Sequence, residues 1–328
     1  MRELTYRDAI REALREEIQR DDRVFIMGED VAGAGGAFNV TQGLLAELGP
    51  ERIFDTPLSE SAIVGAAVGA SLMGMRPVAE VMFADFCTIA MDAIVNHAAK
   101  MHYMYGGETS APLVLRMAYG AGPRWGAHHT QSVESWLANV PGLTILMPAT
   151  PADAKGLLKA AIRTPNPVIF LEHKLLYNSK GEVPEGDYLI PIGKAEVRHP
   201  GDGVTIVATG LMVERALGAA RRLARDDVSA EVIDLRSIQP LDEETILASV
   251  EKTGRLVIVH EAPVRGGFGG EIAAVVAHRA FGYLDAPIQR VGAPWTPVPF
   301  GPVLVEAYTP SENNIAQAVK TALGSVVI

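Results

Sequence analysis

Two adjacent histidines, His128 and His129, are the side chains whose type and spacing most directly suggest acid–base chemistry. They lie in the stretch WGAHHTQSVESW (125–136), between a glycine-rich run and a predicted helix at 131–139. Thr130 is a good N-cap for that helix, which places His129 beside the positive helix end, where a neutral imidazole is favoured. His129 could therefore accept or relay a proton near pH 7. No third ligand at zinc spacing is apparent, so the pair predicts no metal site.

Two further segments carry residues that could act chemically, although each also has an ordinary structural explanation. Glu60 follows Ser59, a plausible N-cap, in the first turn of a predicted helix at 60–73. An acid at that place is favourable to the helix dipole without any catalytic duty. Phe86 enters a predicted helix at 86–105, and an aromatic side chain there is by default part of the core.

The elements that must position these residues follow an α/β rhythm. A helix capped by Thr5 precedes continuous apolar runs that alternate with the predicted helices, and a further helix is predicted at 151–163. Such runs are typical of a parallel sheet covered on both faces. The runs are VFIM (24–27), PVAEVM (77–82), PLVLRM (112–117), LTILM (143–147) and PVIFL (167–171).

A second α/β unit is predicted after a stretch rich in Gly, Pro and charge. Its strands are expected at 204–208, 230–235, 255–260 and 287–291, and its helices near 211–225, 241–251, 269–281 and 311–323. The sequence therefore predicts an α/β fold of two domains, with a first domain at 1–185, a linker at 186–203 and a second, smaller domain at 204–328.

Composition narrows the function classes. The chain has 328 residues, a formal net charge of −10 and one cysteine, Cys87. The charge argues against nucleic acid as a partner, and the lone cysteine excludes an internal disulfide. The apolar runs are too short to span a membrane and the N-terminus has no signal-peptide pattern, so a cytoplasmic location is expected.

Glycine-rich stretches leave one competing cofactor reading open. The runs at 31–39, 64–74 and 265–274 lack the G-x-G-x-x-G spacing of a dinucleotide-binding fold, so NAD is a weaker alternative. Gly65 and Gly69, four residues apart on the predicted helix, would let another helix or strand approach closely. The Gly-Asp-Gly run at 201–203 lacks a nearby asparagine partner and is read as a turn before a strand.

In their order along the chain, these segments resemble the beta subunit of the thiamine diphosphate-dependent decarboxylating component of 2-oxo acid dehydrogenase complexes, which act on pyruvate, branched-chain 2-oxo acids or acetoin. The resemblance covers most of the chain. It implies a transketolase-like pyrimidine-binding domain with a parallel sheet, followed by a smaller transketolase C-terminal-type α/β domain. Stretches that carry it include FDTPLSESAIVGAAVGASLMGMRPVAEVMFADF, HTQSVESWLANVPGLTILMPATPADAKGLL and HEAPVRGGFGGEIAA.

The resemblance also implies roles for individual residues. Glu60 matches the glutamate that hydrogen-bonds the aminopyrimidine ring, Phe86 matches the aromatic packed on that ring, and Leu58 and Met82 match neighbouring pocket residues. His129 matches a histidine implied in acyl transfer to the lipoyl group, with His128 at most supporting it. The resemblance also implies a monovalent cation such as potassium, bound by the backbone carbonyls of Leu113, Ala161, Thr164 and Asn166.

The same family implies that the cofactor is shared between chains. An alpha subunit would supply the magnesium and diphosphate site, two alpha and two beta chains would assemble, and a lipoyl-bearing dihydrolipoyl acyltransferase would accept the acyl group. The substrate would be a 2-oxo acid or acetoin. Two other hypotheses remain, an NAD-dependent oxidoreductase and a non-catalytic scaffold subunit of such a complex.

Overall fold

The computed structural model describes residues 1–122 and 124–324, which form two compact units. The first unit comprises residues 1–119 and 136–192, and the second comprises residues 120–135 and the chain from Gly193 onward. The division after Ile192 falls inside the stretch 186–203 that the sequence suggested as a linker. The sequence did not indicate that residues 120–135 belong to the second unit.

The first unit alternates strands and helices. Its elements, together with the short helix α5 at the boundary between the two units in the chain, are β1 (Arg2–Thr5), α1 (Tyr6–Arg20), β2 (Val24–Gly28), α2 (Leu44–Leu48), β3 (Ile53–Asp55), α3 (Glu60–Leu72), β4 (Arg76–Val81), α4 (Met101–Met104), β5 (Val114–Tyr119), α5 (Glu134–Ala138), β6 (Thr144–Leu146), α6 (Pro151–Arg163), β7 (Val168–His173) and β8 (Lys180–Val183).

A parallel sheet forms the centre of this unit, as the apolar runs predict. Within the unit its strand order is β6-β7-β5-β4-β2-β3. Val114 on β5 lies opposite Val78 on β4 and Val168 on β7, and each of the strands β2, β5 and β7 is buried along its whole length. Burial on both faces explains why these strands read as continuous apolar runs.

Helix ends in the first unit follow the capping signals only in part. Thr5 caps α1, and its hydroxyl accepts the Asp8 N–H at 3.1 Å. Ser59 is the N-cap of α3, but its side chain makes no capping hydrogen bond. The predicted continuous helix at 86–105 is wrong: the chain forms a 3-10 turn (Ala84–Thr88), a π-helical segment (Ala93–Ala98) and the single turn α4.

The second unit is a smaller α/β layer, again as predicted. Its sheet has the strand order β14-β13-β10-β11-β9, parallel except for β9 at one edge. Its elements are β9 (Glu196–His199), β10 (Val204–Ala208), α7 (Leu211–Leu223), β11 (Ala230–Asp234), β12 (Ser237–Gln239), α8 (Glu243–Thr253), β13 (Leu256–Pro263), α9 (Gly269–Arg279), β14 (Gln289–Ala293), α10 (Pro302–Tyr308) and α11 (Glu312–Gly324).

The core of the second unit lies between the sheet and helices α8 and α9. Val207, Ile233 and Ile258 from the strands pack with Ile246 of α8 and Ile272 of α9. None of the helices formed by the described residues is long and apolar enough to cross a membrane.

Candidate active site

The carboxyl ends of three neighbouring strands form the candidate site in the first unit. β2 pairs in parallel with both β3 and β4, so the chain leaves all three strands at the same edge of the sheet. Glu29 follows β2, Glu60 follows β3 at the start of α3, and Met82 and Phe86 follow β4. Ligands of open parallel sheets commonly bind at this edge.

Glu60 is fixed by the start of α3. Its side chain is only 5% exposed, although ionisable side chains are rarely buried without a partner or a function. Ser61, in the same helical turn, donates its hydroxyl to the Ile89 carbonyl at 2.6 Å and so ties the helix start to the segment that carries Phe86. The helix start therefore holds a buried carboxyl group at the edge of the sheet, beside the Phe86 turn.

Glu29 is a candidate residue that the sequence reading missed. It is 8% exposed, and its Oε1 atom finds no hydrogen-bond partner among the described residues. Burial raises the pKa of Glu29, and the neighbouring charge of Glu60 raises it further. Two nearby carboxyl groups in such a setting are suited to hold and exchange a proton. The only signal in the sequence is the acid placed directly after a buried strand.

Apolar side chains that are at least partly exposed lie at the same edge of the sheet. Leu58 is 81% exposed, while Met82 and Phe86 are half-buried. Phe86 packs edge-to-face against Phe83, with ring centroids 5.9 Å apart. The structure thus brings Glu60, Met82 and Phe86 to one edge, with Leu58 in the loop just before Glu60.

A buried ion cluster supports this edge from within the sheet. Arg116 on β5 donates to both carboxylate oxygens of Glu172 and to Glu80 of β4, all at 2.7 Å. The Tyr177 hydroxyl donates to Glu172 at 2.8 Å. Because Glu80 precedes Met82 by two residues, the cluster fixes the end of β4, where the chain enters the site.

Residues 120–122 and 124–131 of the second unit form a loop that carries His129, and we call it the histidine loop. Gly120 N–H donates to the Gln131 carbonyl at 3.5 Å, and Arg124 N–H donates to the Phe300 carbonyl at 3.0 Å. His129 is half-buried and His128 is exposed. The loop therefore presents the two histidines differently, which their spacing alone could not show.

The expected cap at Thr130 is wrong. Helix α5 begins at Glu134, so the helix is shorter than the predicted 131–139 and starts four residues after Thr130. The Thr130 hydroxyl instead donates to the Gly126 carbonyl and tightens the histidine loop. No helix end therefore lies directly beside His129, because the residues between His129 and α5 are not helical.

The four carbonyls expected to bind a cation belong to the first unit. Ala161 and Thr164 lie at the C-terminal end of α6, where backbone carbonyls lack helical partners. Arg76 donates to the Thr164 carbonyl at 3.0 Å, and Val168 N–H donates to the Leu113 carbonyl at 2.9 Å. Asn166 is exposed. Among the described residues, no group of three or more His, Cys, Asp or Glu side chains could hold a metal ion.

The fold of this chain, with its candidate site at the edge of a parallel sheet, belongs to the class of two-domain transketolase-like α/β proteins. Residues 2–180 match the transketolase pyrimidine-binding domain, and residues 193–315 match the transketolase C-terminal domain. A solved structure described as "Split gene transketolase, inactive beta4 tetramer" superposes with a TM-score of 0.81 at 27% identity, covering 98% of each chain.

Curated relatives define the family more closely. The chain is 49% identical to the acetoin:2,6-dichlorophenolindophenol oxidoreductase subunit beta of Cupriavidus necator, over 98% of each chain. It is 46% identical to the 2-oxoisovalerate dehydrogenase subunit beta of Bacillus subtilis and 48% identical to the pyruvate dehydrogenase E1 component subunit beta of Rickettsia felis, in each case over 97% of this chain and 98% of the relative. The chain belongs to this family of dehydrogenase beta subunits.

Proposed function

We propose that this chain is the beta subunit of a thiamine diphosphate-dependent enzyme that decarboxylates a 2-oxo acid, or cleaves acetoin, and passes the acyl group to a lipoyl group. The observation that carries the proposal is the buried Glu60 at the start of α3, close to Glu29 and flanked by Met82 and Phe86. Three relatives named for acetoin, 2-oxoisovalerate and pyruvate support it and leave the substrate open.

The residues at the edge fit the pyrimidine half of thiamine diphosphate. A flat, polar-edged ring needs a hydrogen-bonding group at its rim and apolar contact on its faces, and Glu60 with the half-buried Met82 and Phe86 offers both. When bound, the cofactor supplies a carbon nucleophile for the substrate carbonyl. Glu60 would hold the ring by a hydrogen bond and keep a proton at its nitrogen, and Glu29 would share the local negative charge.

An alpha subunit completes the site in this proposal, because the chain offers no diphosphate motif of its own. The Gly-Asp-Gly run forms a turn before β10, in which Gly203 N–H donates to the Ser229 carbonyl at 2.8 Å. Asp202 is exposed at that turn, and its N–H donates to the Ser229 hydroxyl at 3.1 Å. The run thus serves as a turn, as its sequence context suggested, and magnesium with the diphosphate would be held by the partner chain.

A face of α3 supports close contact with that partner. Its small residues Ser61, Ala62, Gly65, Ala66 and Gly69 are exposed, and a side chain added at Gly65 or Gly69 would meet no described atom within 4 Å. These glycines therefore do not serve packing inside the chain. They leave room for a helix of another chain to approach α3 next to Glu60.

His129 would act on the acyl group, with a lipoyl-bearing acyltransferase as the acceptor and two alpha and two beta chains as the assembly. The half-buried imidazole on a loop closed by several hydrogen bonds suits a group that orients an incoming substrate and gives it a proton. We also propose potassium at the carbonyls of Leu113, Ala161, Thr164 and Asn166. The Thr164 carbonyl can accept from Arg76 and still ligate, because it has two lone pairs.

A decarboxylation assay tests the proposal. The chain would be measured alone and with its alpha subunit, with thiamine diphosphate, magnesium, and pyruvate, branched-chain 2-oxo acids or acetoin. We expect turnover only in the mixture, and a loss of about 100-fold or more in Glu60→Gln. Repeating the assay in potassium and in sodium chloride tests the cation site, where equal activity and equal stability would count against it.

The exposed Glu51 offers a matched control, because Glu51→Gln changes the same chemical group outside the site. Full activity of Glu60→Gln in an assembled complex would contradict the catalytic role and favour a scaffold. Tight binding of NAD by the chain alone would favour the oxidoreductase alternative.

A further inference from the structure

The start of the histidine loop is held by a buried carboxylate of β13. Ala121 N–H donates to Oε1 of Glu261, a side chain that is 5% exposed. Ala121 itself is buried in an apolar cluster with Ala293, Val298, Val305 and Tyr308. Hydrogen bonds between a charged acceptor and a buried backbone donor are stronger than neutral ones. Glu261 therefore anchors the residue from which the loop departs.

The residues that directly follow the histidine loop include a second buried carboxyl group. Glu134, at the first position of α5, is 2% exposed, and its Oε2 atom finds no hydrogen-bond partner among the described residues. Glu134 and His260 line an internal cavity of about 10 Å³, which Thr209 and Gly269 also line. The Nε2 atom of His260 likewise has no described partner. The cavity has room for roughly one water molecule, which could satisfy both atoms.

The titratable groups that face Glu134 come from two elements. Glu261 and His260 lie on β13, and Tyr308 lies on α10. Burial raises the pKa of Glu134 to about 7, and the charge of Glu261 adds to the shift. Burial, Glu261 and Glu134 together raise the pKa of Tyr308 to about 12. Burial lowers the pKa of His260 to about 4, and Arg290 on β14 contributes, so His260 supplies no cation at neutral pH.

We propose that Glu134 and Glu261 are positioning residues for the histidine loop, which is ordered while the two carboxyl groups carry a single negative charge between them. The link to acyl transfer rests on the proposed function of His129. With one charge, Glu261 keeps its bond to Ala121 N–H and Glu134 stays neutral in its apolar surroundings. Ionisation of Glu134 would bury a second negative charge beside that of Glu261, which is costly because like charges repel, so the cluster relaxes and releases the loop.

Hydrogen–deuterium exchange of the peptide covering 120–131 measures the order of the loop without relying on activity. The full chain, assembled with its alpha subunit, would be compared at pH 6 and pH 8.5 after correction for intrinsic exchange. In the wild type we expect exchange to rise about threefold or more as Glu134 ionises. Glu134→Gln should abolish the rise, because the amide imitates the neutral acid. Glu271→Gln, an exposed change on α9, is the control.

Glu261 is tested by two variants. Glu261→Ala removes the acceptor of Ala121 N–H and should speed exchange at both pH values. Glu261→Gln keeps an acceptor, leaves Glu134 as the single ionisable carboxyl group of the pair, and should show a smaller pH effect than the wild type. If the alanine variant fails to fold, the glutamine variant alone decides. Unchanged exchange in Glu261→Ala, or a wild-type pH response in both Gln variants, would overturn the proposal.

Activity connects the loop to the reaction. With the dye 2,6-dichlorophenolindophenol as the acceptor, turnover does not require the lipoyl group. With the lipoyl group as the acceptor, turnover includes the acyl-transfer step. Between pH 6 and pH 8.5 we expect the ratio of lipoyl to dye turnover to fall in the wild type by about the factor seen in exchange, and to stay constant in Glu134→Gln. A ratio that falls equally in both would overturn the proposal. The expected exchange pattern without any turnover would instead refute the proposed function and support the positioning role.

Discussion

The glutamates Glu29, Glu60 and Glu134 are buried, and the sequence gives little sign of this. Glu29 and Glu60 lie close together at the strand edge of the first unit, and Glu134 faces a small cavity in the second unit. Burial raises the pKa of Glu29 and of Glu134, so these two carboxyl groups hold a proton at a pH where an exposed glutamate does not. Burial, rather than residue type, gives these glutamates their chemistry.

The stability of the protein should fall as pH rises through the range in which Glu134 binds a proton only in the folded state. Its pKa is about 7 when folded and about 4.5 when unfolded. Between these values the folded state holds the extra proton, so the free energy of unfolding decreases with pH and levels off above pH 7. The decrease is on the order of 3 kcal/mol, from about 1.4 kcal/mol per pH unit.

Urea denaturation of the wild type and of Glu134→Gln at several pH values between 4.5 and 8 measures this effect. The variant should lack this part of the pH dependence and should exceed the wild type in stability at pH 8. Glu271→Gln should follow the wild type. Parallel curves for the wild type and Glu134→Gln would mean that Glu134 does not titrate in this range.

At the scale of elements, periodicity predicted the regular parts of the fold. The runs at 24–27, 167–171 and 204–208 became β2, β7 and β10, because strands buried on both faces must be apolar throughout. The resemblance identified Glu60 and Phe86, which the sheet brings to one edge. Short edge strands such as β3 and β9 were missed, since three or four residues give too little pattern to recognise.

Long-range contacts account for what the sequence could not predict. The histidine loop groups with the second unit through Glu261, which lies 140 residues from Ala121, and no local signal marks that contact. A local contact was also missed, because the Thr130 hydroxyl donates to the Gly126 carbonyl, four residues earlier, instead of capping a helix. The predicted helix at 86–105 breaks into shorter turns although its residue types favour a helix, which shows that tertiary packing overrides propensity.

The exposed face of α3 makes a prediction about assembly. Gly65→Leu and Gly69→Leu should weaken association with the alpha subunit by about tenfold or more, because a large side chain would stand between two closely packed helices. The isolated chain should lose no stability, since glycine in an exposed helix is itself unfavourable by about 0.5–1 kcal/mol. Analytical ultracentrifugation of the mixed chains, with thermal melting of the chain alone, measures both.

The exposed Ala277 on α9 provides a control of the same size change on another helix. Ala277→Leu should assemble normally. Undiminished assembly of both glycine variants would place the alpha subunit elsewhere on the molecule.

At the scale of the whole molecule, the chain matches a pyrimidine-binding domain but has no diphosphate motif, so under the proposed function cofactor binding should appear only after assembly. A ligand that binds only the folded state stabilises it by about 2.7 kcal/mol at a concentration of 100 times its Kd. For chains of this size we expect thiamine diphosphate with magnesium to raise the melting temperature of the mixed complex by roughly 5 °C. The chain alone should not respond. The complex of Glu60→Gln should form, but its melting temperature should rise less, because the cofactor ring loses its hydrogen bond. A full rise in the melting temperature of the lone chain would show that this chain holds the cofactor without a partner.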